Sequence, residues 1–142
     1  MLEIINKLQS TTLQSHPLTH TRLKYIASTA QMTEDHISRI ALGLSISKGA
    51  IDNSWKPEIL ELEKSMNNKI VNEKHLRGRT LFKEDISLWM GLILQNQIPD
   101  GYNEWRVISC LHWERGIEIL MRKSLENGDW IRTIHSCLPS SG

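Results

Sequence analysis

The residues of this chain best suited to proton transfer or metal ligation are six histidines: His16, His20, His36, His75, His112 and His135. Of these, His112 lies in the segment that suggests acid–base chemistry. In His112-Trp-Glu-Arg-Gly116 an imidazole, a carboxylate and a guanidinium fall within one helical turn. Acid–base or phosphate chemistry there would need a partner positioned against the ring, and no such partner is identifiable in the sequence. The simpler reading places His112 on the apolar side of a long helix, hydrogen-bonded in or near the core, with Arg115 paired to a carboxylate. His16 and His20 have the i,i+4 spacing of helical zinc ligands, but they straddle Pro17, with no Cys or carboxylate close by in sequence. Cys110 and Cys137 lack the spacing of a zinc or redox pair and are expected to stay reduced. Neither a metal nor a cofactor is expected. Glycine-rich phosphate loops, Cys-x-x-Cys pairs and nucleophile motifs are all missing, so an enzymatic role has no independent support and stays undecided.

Binding of phosphate is the other chemistry within reach. The net charge is only +1, but it is unevenly spread. Residues 64–83 hold Lys64, Lys69, Lys74, Arg77, Arg79 and Lys83 against Glu73 alone, a local charge of +5, while the remainder carries −4. A basic segment on an otherwise acidic chain suggests a surface that faces a polyanion; the alternative is a solvated loop with scattered lysines. Arg77, Arg79 and Lys83 are the leading candidates, supported by Lys69, Lys74, Lys24 and Lys48. Arg39 interrupts an apolar run, either to bind phosphate through its planar fork or to bridge helices to Glu84 or Asp85. Among the tryptophans, Trp89 and Trp105 lie in apolar patterns and read as core or interface. Any of the tryptophans could stack on bases; Trp55 and Trp130 lie in weakly patterned segments and are the better candidates for exposure.

Almost every element that would position these residues reads as helix. Leu2, Ile5 and Leu8 mark a short helix over 2–9, and residues 10–17 are turn-like. A second helix runs from about Leu18 to Ala30, with Leu23, Ile26, Ala27 and Ala30 facing inward. A third covers 33–46: Thr33 is a plausible N-cap, Glu34 and Asp35 favour the first turn, and Ile37, Ile40, Ala41 and Leu44 form its stripe. Gly49 is placed to cap its end. Residues 50–82 read as a long, partly ordered excursion. From Lys83 to Gln97 the apolar residues cover nearly the whole circumference, which predicts a helix buried on several sides or between subunits. Pro99-Asp-Gly101 is a turn. A long helix follows from about Asn103 to Glu126, carrying Trp105, Ile108, Leu111, His112, Ile119 and Leu120, with Gly116 allowing close packing. No strand periodicity is visible.

A chain of 142 residues fits one domain. No apolar run approaches the ~20 residues needed to span a bilayer. The opening residues lack the layout of a signal peptide, so a cytoplasmic location is expected.

Several ordered segments resemble DndE, the small component of bacterial DNA phosphorothioation. They are Leu23-Lys24-Tyr25-Ile26; Met32-Thr33, three residues, then Ile37-Ser-Arg-Ile-Ala-Leu42 with Leu44-Ser45; Arg79-Thr80-Leu81-Phe82; and His112-Trp-Glu-Arg-Gly116. Order and spacing hold over about residues 20–126. The stretch 27–31, commonly basic in that family, has no positive charge here. The resemblance implies a small helical bundle, often a homotetramer, that binds duplex and especially nicked DNA and works with the DndC and DndD components, which supply sulfur transfer and ATPase activity.

The expectation is therefore an all-α, compact helical bundle in a single domain: an N-terminal extension over 1–17, a family-like core over 18–128 and a tail over 129–142. Its function would be to bind duplex or nicked DNA through phosphates and present it to the sulfur-transfer partners. Two alternatives remain: a DNA nickase using His112 or His75, and a purely structural adaptor between proteins.

Overall fold

The computed structural model describes residues 1–66 and 69–127; the expected tail over 129–142, with Trp130, His135 and Cys137, lies outside them. The chain folds as a compact, mostly helical bundle. The order is α1 (Leu2–Ser10), β1 (Thr12–Gln14), α2 (Pro17–Ala30), α3 (Glu34–Ser47), β2 (His75–Arg77), α4 (Gly78–Phe82), α5 (Ile86–Leu94) and α6 (Gly101–Asn127).

The broadest packing in the fold is between α3 and α6. The Thr33 hydroxyl accepts from the His36 N–H at 3.2 Å, and Glu34 and Asp35 occupy the first turn, where the helix dipole favours them. The buried face of α3 is Ile37, Ser38, Ala41, Leu42, Ser45 and Ile46. This face is rotated from the expected stripe, because Ile40 and Leu44 are only partly buried. The rotation brings small residues toward α6. A Cβ added at Gly116 would lie 1.8 Å from the Ala41 carbonyl oxygen, so the two backbones touch where Gly116 sits. Trp113, Ile117, Leu120 and Met121 of α6 complete the core, each contributing roughly 1.5–3 kcal/mol by burial. The Trp113 indole N–H donates to Ser38 Oγ at 3.0 Å, which satisfies a polar atom that burial would otherwise leave unpaired.

Residues 1–17 are built into this core, not appended to it. Leu8 and Leu13 are completely enclosed. β1 pairs antiparallel with β2 in the register Thr12↔Arg77, Leu13↔Leu76 and Gln14↔His75, so Leu13 and Leu76 share the buried side. These strands are the element that the sequence does not reveal: three residues each offer a single apolar position, too few to establish a period of two. A Cβ at Gly78 would fall 1.8 Å from the Leu8 carbonyl oxygen, so α1 and α4 also meet backbone to backbone.

The 50–82 segment is held at several points, by the pairing of β2, by Ile51 with Gln97 and by Arg22. Arg22, on α2 and 1% exposed, donates to Glu63 from Nε (2.8 Å) and from a terminal nitrogen (2.7 Å), to Glu118 at 2.9 Å, and to the Glu58 carbonyl. Glu118 also accepts from the Glu58 N–H, and Glu63 from the Leu60 N–H. A buried ionic knot thus ties the segment around the 3-10 turn Glu61–Glu63 to both α2 and α6.

The expected helix over 83–97 is corrected to α5 alone, Ile86–Leu94. A 3-10 turn, Lys83–Asp85, separates it from α4, and Lys83 takes a positive φ of 51°. α5 is peripheral. Ile86, Met90 and Ile93 are buried, whereas Leu88 is 61% exposed and the following Ile98 84%. An apolar circumference led to the expectation of burial on several sides; only one face has a neighbour within this chain.

Candidate nucleic-acid interface

The seven candidate cations do not form one surface. Lys24 and Lys74 are drawn to Glu34, at 3.7 and 3.0 Å, where His20 Nε2 also lies 3.7 Å away. Burial pushes the Glu34 carboxyl up, but the Lys74 hydrogen bond and charge, with Lys24 and His20 behind it, hold it below the usual carboxylate range. Lys64 pairs with Glu61 at 3.0 Å. Two of the six cations in the basic run, Lys64 and Lys74, are therefore engaged in local ion pairs. Lys69 is exposed, as are Arg77, Arg79 and Lys83, and none of these four has a side-chain partner among the described residues.

Arg77, Arg79 and Lys83 sit where the β-ribbon passes through α4 toward α5. The strand alternation turns His75 and Arg77 to solvent while Leu76 goes inward. Arg79 and Lys83 border a cleft of about 500 Å³ together with Gln9, Glu84 and Asp85. At the start of α4 the Gly78 N–H donates to the Thr11 carbonyl at 2.9 Å and is not free for a ligand.

Lys48 lies elsewhere. It follows α3 and borders a second cleft, about 400 Å³, with Trp55, Arg115, Arg122 and Lys123. Sequence reasoning named Lys48, Trp55 and Arg115 separately and missed Arg122 and Lys123. The signal was present in the spacing: Arg115 and Arg122 are seven residues apart on α6 and so share a face.

The histidine motif is structural in its surroundings. Arg115 does not pair with a carboxylate. It donates to the Ser45 and Gly49 carbonyls at 2.7 and 2.8 Å, to the Ala50 carbonyl at 3.2 Å and to Ser45 Oγ at 2.8 Å. It thereby satisfies the carbonyls that the end of α3 leaves open. The same Ser45 hydroxyl is hydrogen-bonded to His112 Nδ1, 2.9 Å away. His112 is 1% exposed, and burial with the nearby Arg115 charge brings its pKa down to about 4. The ring is therefore neutral at neutral pH. Arg39 likewise goes to a carbonyl, that of Thr80 at 3.1 Å, and not to Glu84 or Asp85.

His16 and His20 are held by protein groups. His16 Nδ1 donates to the buried carboxylate of Glu114 at 3.0 Å; the same carboxylate accepts from the His16 N–H and the Thr19 hydroxyl at the start of α2. His20 Nδ1 donates to the Asn72 carbonyl at 2.6 Å. Among the described residues no group of three His, Cys, Asp or Glu could hold a metal, and no helix is long and apolar enough to cross a membrane. The Cys110 thiol donates to the Gln14 carbonyl, and burial together with the Glu114 charge pushes its pKa up to about 12, far from a reactive thiolate.

Comparison of the chain with models of protein families, with curated proteins and with solved structures finds no match.

Proposed function

We propose that this chain is a DndE-like accessory protein of bacterial DNA phosphorothioation, which binds duplex or nicked DNA through its phosphates and presents it to the DndC and DndD components in the cytoplasm. The observation that carries the reading is the corner formed by Arg77, Arg79 and Lys83: three exposed cations within seven residues, none engaged by a side-chain partner among the described residues. Free cations on a fixed ribbon–helix junction suit phosphate neutralisation and counterion release. The positive φ of Lys83 supports the same reading, since a strained backbone costs on the order of 1–3 kcal/mol and tends to persist at functional positions. The ordered motifs over residues 20–126 supply the link to phosphorothioation.

The nickase alternative gains nothing from His112, whose enclosed ring has no path to a phosphodiester in this conformation. Self-association is part of the proposal: the outer face of α5, with Leu88 and Leu94 uncovered, is the surface on which copies of the chain would meet.

Replacing Arg77, Arg79 and Lys83 together by alanine tests the DNA reading. Each lost phosphate contact flattens the slope of log affinity against log salt by about 0.9 on duplex DNA. The triple variant should flatten it by about 2–3 and weaken all sequences alike, with little change in thermal stability. Wild-type affinity and slope in the variant would overturn the assignment.

A further inference from the structure

The second cleft, between the end of α3 and the C-terminal half of α6, differs in kind from the Arg79–Lys83 corner. Its cations are gathered by tertiary structure from two elements: Lys48 just past α3, and Arg115, Arg122 and Lys123 along α6. Lys48, Arg122 and Lys123 have no side-chain partner among the described residues. Two carboxylates also border the cleft, but Glu118 is already bound by Arg22 and the Glu58 N–H. Glu126 alone is uncommitted, so the cleft is positive. Arg115 adds charge more than contacts, because all but one of its N–H groups are consumed by Ser45, Gly49 and Ala50.

An aromatic wall completes it. Trp55 is partly buried against the core, its backbone N–H donates to the Asp52 carbonyl in a turn, and the residue borders the same cavity. The volume, about 400 Å³, lies in the range of small-molecule sites, roughly 300–1,000 Å³. An indole wall facing unpaired ammonium and guanidinium groups suits a flat base joined to an anion. The Arg79–Lys83 cleft has no aromatic on which a base could stack, and its two carboxylates, Glu84 and Asp85, offset the charge of its two cations. Bases inside a duplex are stacked on one another and cannot reach Trp55, so the ligand must be an unstacked nucleotide.

We propose that this cleft is a nucleotide site, with a base against Trp55 and its phosphate held by Lys48, Arg122 and Lys123. The ligand chemistry is that of a nucleoside 5′-phosphate, either free or at the end of a strand. The site stands apart from the duplex-binding corner.

Calorimetric titration of the full chain with adenosine 5′-monophosphate tests it, with adenosine and inorganic phosphate as the separated parts. The nucleotide should bind saturably, and each part at least about ten-fold more weakly. Lys48→Ala, Arg122→Ala and Lys123→Ala combined should lower affinity about ten-fold or more at an unchanged melting temperature, since all three side chains are unpaired. Trp55→Ala should weaken binding by about ten-fold, as loss of one stacked base does. Absence of saturable binding, phosphate binding as tightly as the nucleotide, or undiminished binding by the triple cation variant would each overturn the proposal. A 5′-phosphorylated tetranucleotide distinguishes the sources: tighter binding than the mononucleotide supports a strand end, weaker binding a free nucleotide. Replacing Arg77, Arg79 and Lys83 by alanine should leave nucleotide affinity unchanged; a matching loss would overturn the placement in this cleft. Wild-type protein that takes the nucleotide but not duplex DNA would sink the duplex reading alone.

Discussion

His112 shows how burial, with a neighbouring charge, sets the behaviour of a residue. In the unfolded chain its imidazole titrates near 6.5, and in the fold only near 4. Between those values the unfolded state binds the proton and the native state does not. Stability from this residue is therefore complete above about 6.5 and falls as pH drops toward 4, by on the order of 3 kcal/mol. His112→Asn should remove that stretch of the pH dependence in urea denaturation while lowering the melting temperature at neutral pH. DNA affinity should stay near wild type. A variant with unchanged stability that had lost a DNA-processing activity would return His112 to a catalytic role. Gly116 offers a second test at this scale. A methyl group there meets the Ala41 carbonyl at 1.8 Å, with backbone on both sides and no flexible side chain to yield. Gly116→Ala should destabilise the fold, although alanine is the better helix former by about 1 kcal/mol. Equilibrium unfolding that showed a gain in stability would contradict the close approach of α3 and α6.

Among the elements, the turn over residues 58–64 leans on Arg22, since Ile59 and Leu62 remain exposed. Arg22→Met should cost roughly 3–5 kcal/mol by leaving Glu63 and Glu118 without their counter-charge. Amide exchange should accelerate first over residues 58–64, where Glu58 and Leu60 N–H groups lose ordered acceptors. Adding Glu63→Gln and Glu118→Gln should recover part of the loss. A uniform rise in exchange over the whole protein would show that the knot does not act locally. Acid acts on the same contact. Burial raises the Glu63 carboxyl, yet the Arg22 and Leu60 hydrogen bonds hold it below its ordinary value of 4.5. The stability it contributes is present above that value and is lost as pH falls below it, a decline that should survive in His112→Asn.

For the whole molecule, the decisive feature is a helix with more apolar surface than the chain itself covers. Leu88, Leu94 and Ile98 form the outer side of α5 and its exit, and an uncovered apolar face generally marks an interface. Light scattering on a sizing column should return a multiple of 16.4 kDa, with a tetramer expected from the DndE resemblance. Leu88→Glu should shift the protein toward monomer without unfolding it, because the side chain has no buried neighbours to lose. A wild-type monomer at micromolar concentration would refute self-association.

What the sequence determined by itself was mostly local. The Thr33 cap and the acidic first turn placed α3, Pro17 and Pro99-Asp-Gly101 bounded α2 and α6, and apolar spacing identified Leu23, Ile26, Trp105 and Ile108 as core. These signals act over one or two turns, so they are legible without a fold. Tertiary structure decided which charges are free. Lys24 and Lys74 look much like Arg77 and Arg79 in sequence, but Glu34 pairs with the first two, and among the described residues no carboxylate forms an ion pair with the second two. It also decided that Arg22 is buried and that Arg115 serves the end of α3. Lys48 and Trp55 come to face Arg122 and Lys123 only because α3 and α6 cross at Gly116. An ion pair, a carbonyl cap or a cleft depends on which residues far apart in the chain come within a few ångströms, and no local periodicity carries that information.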